Sequence, residues 1–438
     1  MPIRTGVTRL IVLTAVAWTA AACALTAPTP VPSASPPAVA ETVAVVPTNA
    51  APIATRVPPT RLPITDTNAI TLTLWTAEDL APGTTAAGSL LRNQFDAFTA
   101  ANPNIHIDAT LKKPYGKGGL LDFLTTTSLV VPDQLPDIAA LDISEVPPAA
   151  SAGILQPLDA LLSPEVKGDL FPFAYQAANY QGKWVAVPFS ADIEHLVYDK
   201  RAVKKAPSTW DELYKQKASL LLPIGGDNVF LLQYLALAPL YDSNNQMTVD
   251  PNAAAQVLSF FKRVHDQSLI PDTAIGLKSA EEAWPIFASG KVTMTQALAS
   301  RYLTNRDKLP DAGYAAVPTR DGKAVTIASG WAYGIVTRDP IRQAAAARFI
   351  QWIVQGGHLA PWLRIAHRLP ASRATLILAA DPVEYAAFLR DELEHAVYLP
   401  PNAAYAKAAD AWRAAILAVW KDQATPEEAA RSIAAALK

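Results

Sequence analysis

The sequence predicts an α/β protein of two lobes, each a mostly parallel sheet flanked by helices, with a hinge between them. The chain has 438 residues, of which 50% are hydrophobic and 17% charged, and this suffices for two domains with buried cores. Its first folded segment has the order strand, helix, strand, which implies a parallel pair. Near the middle, residues 184–198 contain two short strands separated by a proline-led segment, as expected where a chain passes between two bodies.

The first 22 residues have the features of an export signal. Two arginines precede an apolar run, residues 10–22, that is too short to span a bilayer as a helix. The run ends in three alanines before Cys23, which resembles the lipobox of bacterial lipoproteins, although Ala20 stands where a leucine is usual. Because Cys23 is the only cysteine, an intramolecular disulfide is excluded. We expect lipidation at Cys23, with simple signal cleavage near Ala22 as the alternative.

Residues 23–67 are predicted to form a lipid-anchored linker. Ten prolines occur between residues 24 and 67, among many Ala, Thr, Ser and Val residues and without any aromatic residue. Such a segment has too little large apolar surface to build a core, and it favours extended polyproline conformations. We therefore expect a tether that holds the folded body away from a membrane.

The folded body is predicted to begin near Asn68. Strict alternation of apolar residues predicts a strand over 69–75, helical spacing predicts a helix over 89–101, and a second strand follows over 105–109. The next strands are predicted over 184–187 and 193–198, with Pro188 ending the first. Between them, Phe189 to Asp192 is predicted to cross between lobes with side chains free to face a ligand. Later apolar patterns predict helices over 223–240, 252–267, 341–354, 403–420 and 426–437.

A motif over residues 182–213 carries a resemblance to a known family. It reads G-K-W-x-x-x-P-F-S-x-D, then Y-x-K, then P-x-T-W-D-E-L. This order closely resembles the extracellular solute-binding proteins of bacterial ABC importers, and most of all the maltose- and oligosaccharide-binding subset. Further matches follow in the expected order over about residues 69–438, including L-P-D at 135–137, G-x-L-x-P-L-D at 153–159 and T-P-E-E-A-A at 425–430.

The resemblance implies a type II periplasmic-binding-protein-like fold and a receptor rather than an enzyme. One lobe would comprise residues 68–188 with 314–365, and the other 189–313 with 366–438. The chain would cross near residues 188–191 and 317–318, and the lobes would close over a ligand by hinge motion. The receptor would be monomeric, held at the cell surface or in the periplasm by its lipid, and would deliver a sugar to membrane permease subunits. No cofactor or metal is expected.

The resemblance also implies a set of ligand-binding residues. Asp192 aligns with the family's hinge carboxylate, Trp331 with a ligand-facing tryptophan, and Asp142 follows the L-P-D strand. Trp75 ends the first strand, where parallel strands point at a ligand crevice. The full expected set is Trp75, Glu78, Asp142, Phe189, Asp192, Tyr302 and Trp331, with Tyr302 replacing the tryptophan that many relatives carry nearby. For each aromatic residue the alternative is core packing.

The sequence also bears on functions other than solute binding, since each would need particular charges or side chains. The net charge of −2 offers no basis for nucleic-acid binding. The six histidines have no metal-binding spacing, and no G-x-S-x-G elbow is present. Asp79, Asp142 and Asp192 could supply the carboxylate pair of a glycosidase. A secreted carbohydrate-active enzyme and a receptor for a non-sugar solute therefore remain as alternatives.

Overall fold

The computed structural model describes residues 69–242, 246–380, 382–400 and 402–437. The predicted export signal, Cys23 and the linker lie outside the described residues. Strands are β1 Ile70–Thr76, β2 Ile105–Leu111, β3 Ile138–Asp142, β4 Asn179–Tyr180, β5 Lys183–Trp184, β6 Val187–Asp199, β7 Leu220–Leu221, β8 Met294–Leu298, β9 Ala312–Ala315, β10 Thr326–Ile335, β11 Leu369–Pro370 and β12 Ala396–Val397.

Helices surround these strands along the whole described chain. They are α1 Ala86–Ala101, α2 Leu120–Val130, α3 Val146–Ser151, α4 Pro164–Gly168, α5 Pro172–Ala177, α6 Trp210–Gln216, α7 Leu231–Leu235, α8 Pro251–Asp266, α9 Ala280–Ala288, α10 Ala299–Asn305, α11 Pro340–Ile353, α12 Gly356–Ile365, α13 Arg373–Ala379, α14 Val383–His395, α15 Ala403–Trp420 and α16 Pro426–Ala436. Among the described residues, none of the helices combines the length and the apolar character needed to cross a bilayer.

The opening β-α-β unit forms as the sequence predicts. Strands β1 and β2 pair in parallel from Ile70 opposite Ile105 onward. Helix α1 begins at Ala86 rather than at Ser89, because the Thr85 side chain accepts a hydrogen bond from the Gly88 amide at 3.0 Å and caps the first turn. Its apolar face is buried against the sheet, so the helix covers the strand pair as a parallel unit requires.

The main sheet is mixed rather than mostly parallel. Within the described residues, ten strands form it, with the central order β2-β1-β3-β10-β6-β8-β7. Pairs near the two ends are parallel, namely β1 with β2, β1 with β3 and β7 with β8. The middle is antiparallel, because β10 runs against both β3 and β6. We call the elements around β1–β3 the first lobe, and those around β7–β9, with α8, α15 and α16, the second lobe.

Strand β6 differs from the sequence expectation. The predicted break at Pro188 and the predicted open segment 189–192 are both absent, since Val187–Asp199 is one continuous strand. Pro188 lies opposite Ala332, where the register with β10 shifts between Trp331 and Ala332. A proline is tolerated there because the ladder is already interrupted by the bulge. The crossing between lobes is therefore a paired strand rather than an open segment.

The second crossing lies in β10. This strand pairs with Ile193 of β6 through Ala328 and with Ile138 of β3 through Ile335, so it passes through both lobes. Gly330 is required at its centre, because a Cβ there would overlap the carbonyl oxygen of Ser190.

The segment before β10 belongs with the second lobe. Val317, expected at a crossing, instead packs with Leu232, Ala236 and Val325 in a small apolar cluster, and β9 pairs with the far end of β6. The short strand β11 adds a third connection by pairing with Ala191 and Ser190. In this segment Tyr314 and Ala315 thus pair with Val197 and Leu196, and Val317 packs beside α7.

Candidate functional site

The centre of β10 brings three of the expected residues together. Trp331 lies directly opposite Asp142 of β3 on one side and opposite Ser190 of β6 on the other. Asp192 follows two residues after Ser190 and lies opposite Ser329. Because directly paired residues and residues two apart share a face of a sheet, Trp331, Asp142, Ser190 and Asp192 face the same side.

Asp142 ends β3 and is buried, with its two carboxylate oxygens held differently. Oδ1 accepts hydrogen bonds from the Ser144 amide at 2.9 Å and the Ser144 hydroxyl at 2.6 Å, which caps the short turn that follows. Oδ2 accepts a hydrogen bond from the Tyr115 hydroxyl at 3.0 Å. Oδ1 thus stabilises the turn that follows β3, whereas Oδ2 bonds to a side chain from a separate loop.

Tyr115 covers Trp331. Their ring centroids are 5.8 Å apart and the rings are tilted by 38°. Trp331 is only 5% exposed, whereas the Tyr115 side chain is 47% exposed. Burial, together with the charges of Asp142 and Glu145, raises the pKa of the Tyr115 phenol, so its hydroxyl keeps its proton and acts as the donor.

Glu145 adds a second carboxyl group beside Asp142. Burial first, and then the charge of Asp142, raises the pKa of Glu145 to about 7. Its Oε2 has no hydrogen-bond partner among the described residues. A carboxyl group in this state binds a proton near neutral pH, so it can donate as well as accept a hydrogen bond.

Asp192 lies in β6, and its half-buried carboxylate contacts the start of α10. Its Oδ1 accepts from the amides of Ser300, at 3.1 Å, and Ile193, at 3.0 Å, and its Oδ2 accepts from the Ser300 hydroxyl. Burial raises the pKa of Asp192 despite these bonds and despite the nearby charge of Arg368. Glu194, next on the same face, accepts from the Gln296 amide, and burial raises its pKa too.

The residues after β1 form another edge of the site. Trp75 is half-buried, with the ammonium group of Lys112 lying 4.4 Å from its ring centroid and Phe123 against its edge. Glu78 and Asp79 are exposed in the short turn that follows. Asp79 forms an ion pair with Arg368, whose charge also acts on Asp192 and Tyr115. Arg368 therefore links this edge to the residues around β10.

Phe189 and Tyr302 lie in the core rather than with this group. Phe189 is 2% exposed and stacks on Tyr333 with centroids 4.3 Å apart. Tyr302 is buried among His195, Tyr314 and Tyr385. The expectation for Phe189 rested on an open segment, but in β6 the residue is buried against the rings of Tyr333 and Trp362. We leave both residues out of the candidate site.

Four residues of the site were missed at the sequence level, namely Tyr115, Glu145, Ser300 and Arg368. One signal was present for Tyr115, because it is an aromatic residue in a loop with glycines at 116, 118 and 119, directly after a strand. Arg368 immediately precedes the two residues of β11, Leu369 and Pro370. Glu145 and Ser300 carry no such signal, since only the packing of the chain brings them to Asp142 and Asp192.

Two cavities lie away from Trp331. One of about 150 Å³ adjoins β11 and includes Arg368 in its wall, and another of about 190 Å³ lies beside Phe189 and α12. Neither is lined by Asp142, Asp192 or Trp331. In the part of the chain that the structure describes, no group of three or more His, Cys, Asp or Glu residues could hold a metal ion.

Comparison with known proteins places these features in context. Residues 81–355 match the model of a family described as bacterial extracellular solute-binding protein. A maltotriose-binding protein of Pyrococcus abyssi (strain GE5 / Orsay) is 36% identical over 64 residues, which is 15% of this chain and 14% of that protein. A binding protein of Brucella abortus (strain 2308) is 25% identical over 248 residues, 51% of this chain and 58% of that protein. The chain thus matches less than two thirds of the length of either curated relative.

Solved structures match over a greater length. A cyclic alpha-maltosyl-1,6-maltose binding protein from Arthrobacter globiformis superposes with a TM-score of 0.70 at 20% identity, covering 84% of this chain and 98% of the other. The sugar-binding protein MalE from Xanthomonas citri gives a TM-score of 0.68 at 18% identity, covering 84% and 96%. At these identities the likeness shows the fold, a two-lobed periplasmic-binding-protein-like α/β architecture.

Proposed function

We propose that this chain, which belongs to the family of bacterial extracellular solute-binding proteins, captures a sugar or oligosaccharide and delivers it to the permease of an ABC importer. The observation that carries the proposal is the face of β10, where Trp331 lies between Asp142 and Ser190 with Asp192 nearby. An aromatic ring matches the apolar face of a pyranose, and carboxylates accept its hydroxyls. Neutral polyols are thus the ligands that this pattern fits.

The binding mode follows from the two crossing strands. β6 and β10 pass through both lobes, so bending within them would close the lobes over a ligand. On this proposal the lobe boundary runs through β6 and β10, and residues 314–325 belong to the second lobe. Asp192, at the crossing, and Asp79, in the first lobe, would then approach the ligand from different sides.

The receptor is proposed to bind without making or breaking a bond. Asp142 and Asp192 each already accept hydrogen bonds from neighbouring serines, so their oxygens are oriented as acceptors. The protein would act as a monomer outside the cytoplasm, tethered through Cys23, with a permease as its membrane partner. Solved structures with this fold include a cyclic alpha-maltosyl-1,6-maltose binding protein, a protein with bound maltose and one with bound maltotriose, which supports a glucoside as ligand.

Calorimetric titration tests the proposal directly. Maltose, maltotriose and a cyclic maltooligosaccharide are titrated into the full chain, with spermidine as the cationic non-sugar comparison. We expect saturable binding of at least one sugar, a smaller radius of gyration by X-ray scattering when it is bound, and no reducing ends released on long incubation. If spermidine binds and none of the sugars does, the protein is a receptor for a non-sugar solute. If the sugar is hydrolysed, the protein is an enzyme and the proposal is wrong.

A further inference from the structure

Tyr115 makes, within the protein, the two contacts that a sugar unit would make. Its ring lies against Trp331, with centroids 5.8 Å apart, and its hydroxyl donates to Asp142 Oδ2 at 3.0 Å. A pyranose bound on Trp331 would likewise present an apolar face to the indole ring and a hydroxyl to the carboxylate. The two cannot both occupy this space, because the exposed surface of Trp331 is already reduced to 5%.

The loop that carries Tyr115 holds the hydroxyl end of the side chain at Asp142 while the rest of it stays partly exposed. Its base is closed by the hydrogen bond from the Leu120 amide to the Lys113 carbonyl at 2.9 Å, and Gly118 donates to Asp122 at 2.7 Å. Gly116 and Gly118 have φ of 73° and 74°, in the left-handed region that favours glycine. The loop backbone is therefore held at its ends, while the Tyr115 side chain stays 47% exposed.

Displacing Tyr115 requires little structural change. Nearly half of the surface of Tyr115 is exposed, at 47%, so the core does not enclose this side chain. Oδ1 of Asp142 keeps its bonds to Ser144, so the carboxylate stays oriented when the Tyr115 hydroxyl leaves. What the ligand must replace is one hydrogen bond and one tilted aromatic contact.

We infer that Tyr115 is an internal placeholder for a sugar unit, occupying the subsite of Trp331 and Asp142 until a ligand displaces it. The inference rests on the proposed function and deepens it. A neutral hexopyranose can replace both contacts, because it supplies an apolar ring face and a hydroxyl next to it. Tyr115 thereby raises the apparent dissociation constant of every ligand of this subsite, in inverse proportion to the fraction of time for which the subsite is free.

Affinities of Tyr115 variants for maltotriose test the inference. Tyr115→Ala removes both contacts, so we expect binding about threefold to tenfold tighter than wild type, the range set by one partly exposed aromatic and hydrogen-bonding contact. Tyr115→Phe keeps the ring and loses the hydroxyl, and its affinity should lie between the two. Tyr175→Ala is the matched control, because Tyr175 is 50% exposed and contacts Trp184 away from the site; its affinity should equal that of wild type.

A measurement without ligand checks the contact itself. Acrylamide quenching of tryptophan fluorescence should increase in Tyr115→Ala, and the increase should disappear when both proteins also carry Trp331→Phe. If a folded Tyr115→Ala variant binds maltotriose more weakly than wild type, Tyr115 contacts the bound ligand and the placeholder inference is wrong. The proposed function would then stand. Failure of wild type and of all variants to bind any tested sugar would overturn the proposed function and this inference together.

Discussion

Glu145→Gln should change how the stability of the protein depends on pH. In the folded chain the pKa of Glu145 is raised from its ordinary value of 4.5 to about 7, mainly by burial and further by the charge of Asp142. Between these values the folded protein holds a proton that the unfolded chain releases, so the free energy of unfolding falls as the pH rises through this window. The stabilisation is complete below pH 4.5 and is lost above about pH 7.

The size of the effect follows from the same two values. At about 1.4 kcal/mol per pH unit, the difference sets an upper limit of roughly 3 kcal/mol. The side chain keeps some contact with water, so about 1–2 kcal/mol is the expected loss. Glutamine has no charge to desolvate, and Glu145→Gln should therefore be more stable than wild type by about this amount at pH 8 and equal to it at pH 4.5.

Urea unfolding at pH 4.5, 6, 7 and 8, followed by tryptophan fluorescence, measures the effect. The quantity to compare is the difference between variant and wild type, since Asp192, Glu194 and Glu392 also have raised pKa values and contribute to both curves. Circular dichroism of the two proteins provides the control for an unchanged fold. A difference that stays constant across the whole pH range would show that Glu145 is ionised normally, and the argument from burial would be refuted.

Three further changes test the site and the anchor. Trp331→Ala should abolish most sugar binding, and it should lower the free energy of unfolding by about 3–5 kcal/mol, because the ring is 5% exposed and its loss leaves a cavity. Calorimetry measures the first effect and urea unfolding the second. A variant as stable as wild type would contradict the observed burial. Asp192→Asn should weaken sugar binding about tenfold, since a neutral amide is a poorer acceptor than a carboxylate, and an unchanged dissociation constant in calorimetry would remove Asp192 from the site. Cys23→Ala should release the protein from the membrane fraction of expressing cells, and equal partition of variant and wild type on fractionation would rule out the lipid anchor.

Local sequence patterns predicted much of the first lobe correctly. Alternation in residues 69–75 and helical spacing after Ser89 identified β1 and α1, because each pattern matches the repeat of the element it forms. The cap of α6 is equally local, because Thr209 accepts a hydrogen bond from the Glu212 amide at 3.1 Å. These features depend on residues only a few positions apart.

The crossing region could not be predicted in the same way. Pro188 was expected to end a strand, yet β6 continues through it because the ladder with β10 is already interrupted by a bulge at this point. In the resulting paired strand Phe189 is buried against Tyr333, whereas Ser190 and Asp192 lie opposite Trp331 and Ser329. The partner strand that decides the outcome lies about 140 residues away in the sequence, where no local rule applies.

The sequence by itself determined the family, the two-lobed α/β class and three residues that meet at β10, Trp331, Asp142 and Asp192, because ordered motifs survive where overall identity is low. Only the tertiary structure brought Tyr115, Glu145 and Arg368 to these residues and placed Tyr302 in the core. The physical reason is that burial, charge and ring contacts arise between segments far apart in the chain. A pattern records what each residue prefers locally, whereas its neighbours, and hence its pKa and its exposure, are set by the packing of the whole fold.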